Sequence, residues 1–181
     1  MTTYCDYCNS HPEDTFNKAY HDTEYGFPLL DDNLLFERLI LEINQAGLSW
    51  ITILKKADNF RKAYDDFEIE KVASYSDIDR LRLLADPGII RNRLKVNAAI
   101  VNAQKIRELK KEYGSFKAWL DANRTLSKEE WIKLFKRTFV FTGGEIVNEF
   151  LVSTGYLPGA HDESCPIFEE VASLQPAWMR R

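Results

Sequence analysis

Glu42 stands among Leu39, Ile40, Leu41 and Ile43, on a segment whose apolar spacing is otherwise that of a buried helix. A carboxylate in such a place is costly unless it meets a cation or several hydrogen-bond donors. Tyr20, Tyr25 and Trp50 lie close by along the chain. An acid ringed by aromatic faces is the chemistry of a pocket for a flat, positively charged ligand, and an alkylated purine base is such a ligand. Each ring alone is more often a core residue than a pocket wall, and Glu42 alone could pair with a lysine. The case for a pocket rests on the group.

A second constellation is made of soft-metal ligands. His161 and Cys165 lie four positions apart, a spacing compatible with chelation, and Cys5, Cys8, His11 and His21 offer another half. Two choices stand open. Cys5 and Cys8 with His161 and Cys165 would form a zinc knuckle joining the two ends of the chain; Cys5 and His21 would instead leave Cys8 as a bystander. A closed four-ligand site of either kind is structural, because no position is left for water. Buried cysteines and satisfied histidines need no metal, yet all three cysteines and all three histidines lie toward the chain ends, which favours a shared site.

The third is Leu83-Leu84-Ala85-Asp86-Pro87-Gly88-Ile89-Ile90-Arg91-Asn92-Arg93-Leu94-Lys95. A short helix, a Pro-Gly turn and a long helix that begins with cations make a helix-hairpin-helix. Gly88 lets the backbone come close, and amides at the start of the second helix can hold a DNA phosphate, with Arg91, Arg93 or Lys95 adding charge. Such a contact reads backbone, not base sequence. A plain helix-helix connector would look similar, since Pro-Gly turns are common.

The elements that must position these groups read almost wholly as helix. Asp31 or Asp32 caps a helix through about Gln45, and Ser49 opens the next, to about Tyr64. Ser76 starts a short helix ending at Leu84 or Ala85, and a long one runs from about Arg91 to Tyr113, closed by Gly114. Ser115 begins a short helix with Phe116, Trp119 and Leu120. Ser127-Lys128-Glu129-Glu130 is a capping-box start, Gly143-Gly144 precedes a helix to about Thr154, and Pro166 suits the first turn of a last one. Thr138-Phe139-Val140-Phe141 is the one tempting strand and is too short to build a sheet. The expected architecture is all-α, one compact unit over residues 1–181 or two lobes sharing a pocket, with the hairpin at about 76–113.

Composition sets outer bounds. A net charge of −4 argues against nonspecific adhesion to nucleic acid but leaves room for a local basic face. An odd number of cysteines, three, favours thiols or metal ligands over a disulfide framework. No apolar run approaches the ~20 residues of a membrane helix, and the segment Met1–Cys5 has no signal-peptide character, so a cytoplasmic location away from membranes is expected. A monomer is the default expectation.

The pattern Tyr20-His21-Asp22-x-Glu24-Tyr25-Gly26, Phe36-Glu37, then Glu42-x-x-Gln45-Ala46-Gly47-Leu48-Ser49-Trp50, resembles the bacterial 3-methyladenine DNA glycosylase I family. Leu54-Lys55-Lys56, Gly88-Ile89-Ile90-Arg91 and His161-x-x-x-Cys165 are also similar to it, in order, so the likeness spans Cys5 to Cys165. It implies a helix-hairpin-helix glycosylase fold that releases 3-methyladenine from double-stranded DNA in base excision repair, leaving an abasic site. It also implies a structural zinc site of Cys5, His21, His161 and Cys165, and a base pocket with Glu42 as polar reader and Trp50, Tyr20 and Tyr25 as walls. Two departures stand out: Tyr7 replaces a usual tryptophan, and Thr142-Gly143-Gly144-Glu145-Ile146 replaces a glycine- and threonine-rich turn.

Methylation at N3 places positive charge on adenine and weakens its glycosidic bond, so an enzyme for this lesion needs less catalytic force. In agreement, Leu94 to Ile106 contains no acid that could activate water, and Asp121 lies beyond that helix. Binding is then expected to discriminate: DNA is bent, the lesion is flipped out and an apolar wedge, Leu48, fills the gap. The competing reading is a non-catalytic zinc-containing DNA-binding module, in which Glu42 has no evident reason to sit among aromatics.

Overall fold

The computed structural model describes residues 3–180, and among them the regular structure is entirely helical. In chain order the α-helices are α1 (Tyr4–Ser10), α2 (Thr15–Thr23), α3 (Asp32–Gln45), α4 (Trp50–Ala63), α5 (Ile69–Ala73), α6 (Asp77–Ala85), α7 (Arg93–Tyr113), α8 (Phe116–Ala122), α9 (Lys128–Thr138), α10 (Gly144–Ser153) and α11 (Pro166–Ser173). Short 3-10 turns cover Asp65–Phe67 and Ala177–Met179. No helix is long and apolar enough to cross a membrane.

Local chemistry explains most boundaries. The Asp31 carboxylate accepts the amides of Asn33 and Leu34, which starts α3. Ser76 with Asp79, and Ser127 with Glu130, form reciprocal capping boxes that start α6 and α9. Gly114 and Gly155 end α7 and α10 at φ of +89° and +78°, a conformation in which a side chain is strained. At Gly155 a Cβ would also meet the carbonyl of Gly26 at 3.1 Å.

α3 is the central element. It packs against α4, α7, α8 and α10, and every residue from Leu35 to Asn44 is buried. A helix enclosed on all sides has no solvent face on which to place its polar residues, so Arg38, Glu42 and Asn44 lie inside. Asp32 uses its side chain on another helix: its carboxylate accepts the amides of Phe116 and Lys117 at 3.0 and 2.9 Å and so caps α8.

Two expectations need correction. The long helix begins at Arg93, because the Asn92 side chain accepts from the amides of Leu94 and Lys95 and places the helix start two residues later. As expected, Thr138–Phe141 builds no sheet: the Asn102 side-chain amide donates to the carbonyl of Val140 and accepts from its N–H, taking the place of a neighbouring strand. Lys95 does not face solvent. Its ammonium is buried and donates to the carbonyls of Asn44 and Ala46, each at 2.7 Å. It therefore closes the C-terminal end of α3, where free carbonyls favour a cation.

Lys95→Met keeps much of the side-chain volume and removes two charge-assisted bonds. We expect a loss of about 2–3 kcal/mol of unfolding free energy, read from urea denaturation. A loss below about 0.5 kcal/mol would contradict this role.

Candidate active site and metal centre

α3 carries Glu42 to the wall of a cavity of about 340 Å³ that Tyr4, Tyr20, Tyr25, Gln45, Trp50 and Glu149 also line. Its size lies at the small end of small-ligand sites. Glu42 is 4% exposed, and none of the hydrogen bonds among the described residues reaches its carboxylate. Arg38, one turn earlier, is the nearest cation on α3, but its guanidinium is committed elsewhere: to the Tyr20 hydroxyl at 3.2 Å, the Ser153 carbonyl at 3.2 Å and Glu24 at 3.1 Å. Burial pushes the Glu42 carboxyl up to about 8; the charge of Arg38 opposes that rise and the charge of Glu149 adds to it. The acid is thus neither on the surface nor locked to a cation, and it has a cavity beside it.

The rings form a continuous wall. Tyr20 lies with its centroid 5.1 Å from Trp50 and 5.6 Å from Tyr25, and Tyr4 meets Tyr25 edge-on at 5.3 Å. Tyr4 and Glu149 were absent from the residues the sequence singled out. Tyr4 sits on a short helix with no strong apolar pattern, and Glu149 reads as one more acid on an amphipathic helix. Tyr7, the departure noted above, points away from the cavity: it donates to Asp14 and stacks on His11.

Trp50 opens α4, and the connection from α3 is the tight turn Ala46-Gly47-Leu48-Ser49, with Gly47 at φ +79°. Gln45 closes this turn, accepting the Leu48 amide on its carbonyl and donating its side-chain amide to the Leu48 carbonyl, both at 2.7 Å. The Leu48 side chain is 38% exposed, which removes the core-leucine explanation for it. Lys95 grips the carbonyl of Ala46 in the same turn, so the start of α7 and the turn bearing Leu48 are held together.

Beyond that contact, the segment Asp86–Asn92 joins α6 to α7. Arg91 and Arg93 are exposed and form no ion pair among the described residues. The amides of Leu94 and Lys95 are already taken by Asn92, and those of Ile89, Ile90 and Arg91 have no hydrogen-bond partner among the described residues. The missing side chain of Gly88 is needed for packing: a Cβ there would meet Asn59 at 3.2 Å and Asp86 at 3.0 Å. Lys56 donates to the carbonyl of Pro87 at 3.4 Å, a further cation beside the hairpin.

On the other side of Tyr25, the ligand atoms of Cys5, His21, His161 and Cys165 gather within 4.8 Å of one another, all buried. Sulfur-to-nitrogen separations are 3.6 Å for Cys5 to His161, 3.6 Å for Cys165 to His21 and 3.8 Å for Cys165 to His161. A tetrahedral zinc with ordinary Zn–S and Zn–N lengths requires S···N edges of about 3.6 Å. The outward nitrogens are oriented by partners: His21 Nδ1 by Asp22 at 2.7 Å and His161 Nε2 by the Tyr25 carbonyl at 2.7 Å. Cys8 is turned away, with its thiol on the carbonyl of Asn17. Of the two ligand choices left open by spacing, the geometry gathers the one containing His21.

The chain also resembles known proteins in sequence and in structure. The sequence profile of the methyladenine glycosylase family matches residues 9–133. The DNA-3-methyladenine glycosylase of Haemophilus influenzae is 34% identical over 92% of this chain and 98% of its own length. DNA-3-methyladenine glycosylase 1 of Escherichia coli is 47% identical over 54% of this chain and 52% of its own length. The solved 3-methyladenine DNA glycosylase I of Staphylococcus aureus has a TM-score of 0.82 at 33% identity, covering 91% of this chain and 97% of that one. A variant 3-methyladenine DNA glycosylase I solved in complex with 3-methyladenine has a TM-score of 0.81 at 33% identity, covering 88% and 96%. The chain belongs to the methyladenine glycosylase family.

Proposed function

We propose that this protein is a monofunctional DNA N-glycosylase that hydrolyses the bond between deoxyribose and 3-methyladenine, releases the free base and leaves an abasic site. The observation that carries this reading is Glu42: a buried acid without a hydrogen bond, in an aromatic cavity sized for a base. A non-catalytic DNA-binding module would gain nothing from it. The protein acts as a monomer on duplex DNA in the cytoplasm.

The base, turned out of the duplex, stacks between Trp50 and the tyrosines, and Glu42 accepts hydrogen bonds from its N–H groups. The methylated base enters carrying positive charge, so it meets an ionised Glu42 favourably, and the ring faces add about 2 kcal/mol for a desolvated cation. Undamaged adenine lacks that gain. As the glycosidic bond breaks, the electron pair returns to the purine, which leaves neutral, and water bonds to the sugar carbon, losing a proton to solvent. Leu48 occupies the gap left in the stack. α6, the Pro87-Gly88 turn and α7 act as a helix-hairpin-helix, in which the free amides of Ile89, Ile90 and Arg91 meet a phosphate and Arg91 and Arg93 add charge.

The four-ligand cluster is a structural zinc site in this reading. Its residues fit the metal, and bound zinc would tie Cys5 and His21 to His161 and Cys165. Through the His161 bond to the Tyr25 carbonyl it would also fix one wall of the pocket. Purified Cys8→Ser should retain one zinc per chain by elemental analysis, whereas Cys165→Ser should lose it. Retention in Cys165→Ser with loss in Cys8→Ser would transfer the site to the knuckle arrangement.

The pH dependence follows from the raised acid. Between its ordinary 4.5 and about 8, Glu42 holds a proton in the folded protein that it would release on unfolding, so its burial costs stability progressively as pH rises through that window. Substrate recognition runs the other way, because the ionised form is the one that prefers the cation. We expect kcat/KM for release of 3-methyladenine from methylated DNA to rise up to about pH 8. Glu42→Gln should flatten that rise and, by replacing a charged acceptor with a neutral one, lower kcat/KM by roughly thirtyfold above it. Unchanged release by Glu42→Gln and Glu42→Ala would remove this residue from the mechanism. Leu48→Ala should lower kcat/KM on duplex substrate by about tenfold while free-base affinity, followed by tryptophan quenching, stays within about twofold. Equal losses in both would make Leu48 a packing residue.

A further inference from the structure

The mechanism above uses one acid, but the cavity holds two. Glu149 lies on α10, which packs against α3, and it lines the same space as Glu42. The neighbouring Val147, Phe150 and Leu151 are buried in the core, whereas Glu149 is half-buried at the cavity wall. Its carboxylate accepts from the Asn148 side chain at 3.2 Å and from the Tyr25 hydroxyl at a long 3.5 Å. No lysine or arginine pairs with it among the described residues, and the residues lining the cavity include no cation. Two carboxylates that share a cavity repel each other, and a cation placed between them relieves the repulsion.

We infer that Glu149 is a second base-reading residue, giving this pocket two acidic acceptors for a methylated purine that carries both positive charge and an exocyclic amine. The inference rests on the glycosylase reading and makes it more specific. An ionised carboxylate only accepts hydrogen bonds. A neutral adenine turns several ring-nitrogen acceptors toward the cavity wall, and each one opposite a carboxylate is unfavourable. Alkylation of a ring nitrogen removes one such acceptor and spreads positive charge over the ring and its amine. A purine cation can then satisfy acids on two of its edges, which a single glutamate cannot reach. Glu149 thereby sharpens the choice between alkylated and undamaged purine.

The test uses two ligands of nearly equal shape: 3,9-dimethyladeninium, which is permanently charged, and neutral 9-methyladenine. Affinities of the wild-type protein, Glu149→Gln and Glu149→Asp for both are measured by tryptophan fluorescence. Glu149→Gln should cut the preference for the cation by about tenfold, with affinity for the neutral base changed by less than about twofold. Glu149→Asp, which keeps the charge, should retain most of the preference. Equal losses for both ligands would mean that Glu149 merely supports Tyr25, and no change for either would mean that it does not face the base; both results overturn the inference. So would loss of the preference in Glu149→Asp to the same degree as in Glu149→Gln. Release of 3-methyladenine from methylated DNA by the wild-type protein is measured separately. Its absence would overturn the glycosylase reading, while the ligand preference would still report on Glu149.

Discussion

The site depends on a carboxylate that has been taken out of water without being given a partner. Glu42 sits on a helix enclosed by its neighbours, and the cation one turn away is spent on Tyr20, Ser153 and Glu24. Burying an acid in this way is unfavourable for the empty protein. The cost is repaired by a ligand that brings positive charge and hydrogen-bond donors, and by little else. In the proposed function, affinity and selectivity thus come from the same defect. The aromatic walls add a flat shape to that requirement, and their faces are themselves attractive to a cation.

The surrounding architecture serves to keep this acid and its rings in place. Tyr25 is held at its backbone by His161 and at its ring by Tyr4 and Tyr20, so the four-ligand cluster and the base cavity share a wall. On the opposite side, Lys95 fastens the end of α3 to the first turn of α7. That contact joins the hairpin expected to grip phosphate to the turn that presents Leu48. In the proposed function, recognition of backbone and extrusion of a base are thereby linked through a buried ammonium.

Much of this was legible in the chain. From Asp31 onward most helices follow caps and glycine stops, and the strong motif from Glu42 to Trp50 marks the cavity wall; α5 has no side-chain cap and left no such signal. α1 and α2 were less visible, because they are short and polar and are held by the packing of their cysteines, histidine and tyrosines. Spacing could not choose between Cys8 and His21. Cys5 and Cys8 share the inner side of α1, and only the placement of α2 turns Cys8 toward Asn17. Lys95 was misread as a phosphate ligand because cations at a helix start commonly are. Its register with Ala98, Ala99 and Asn102, all on the buried side, held the contrary signal. Glu149 left no such trace: a half-buried acid on an amphipathic helix looks like any solvated one until α10 is laid against α3.

The most direct measurement is the ionisation of Glu42 itself. In protein carrying carbon-13 at the glutamate carboxyls, NMR titration should find this side chain still protonated at neutral pH, with its midpoint near 8. Adding a permanently cationic methyladenine should move that midpoint sharply downward, because the ligand stabilises the anion. A Glu42 resonance that titrates at the ordinary value for glutamate and ignores the cation would contradict the account.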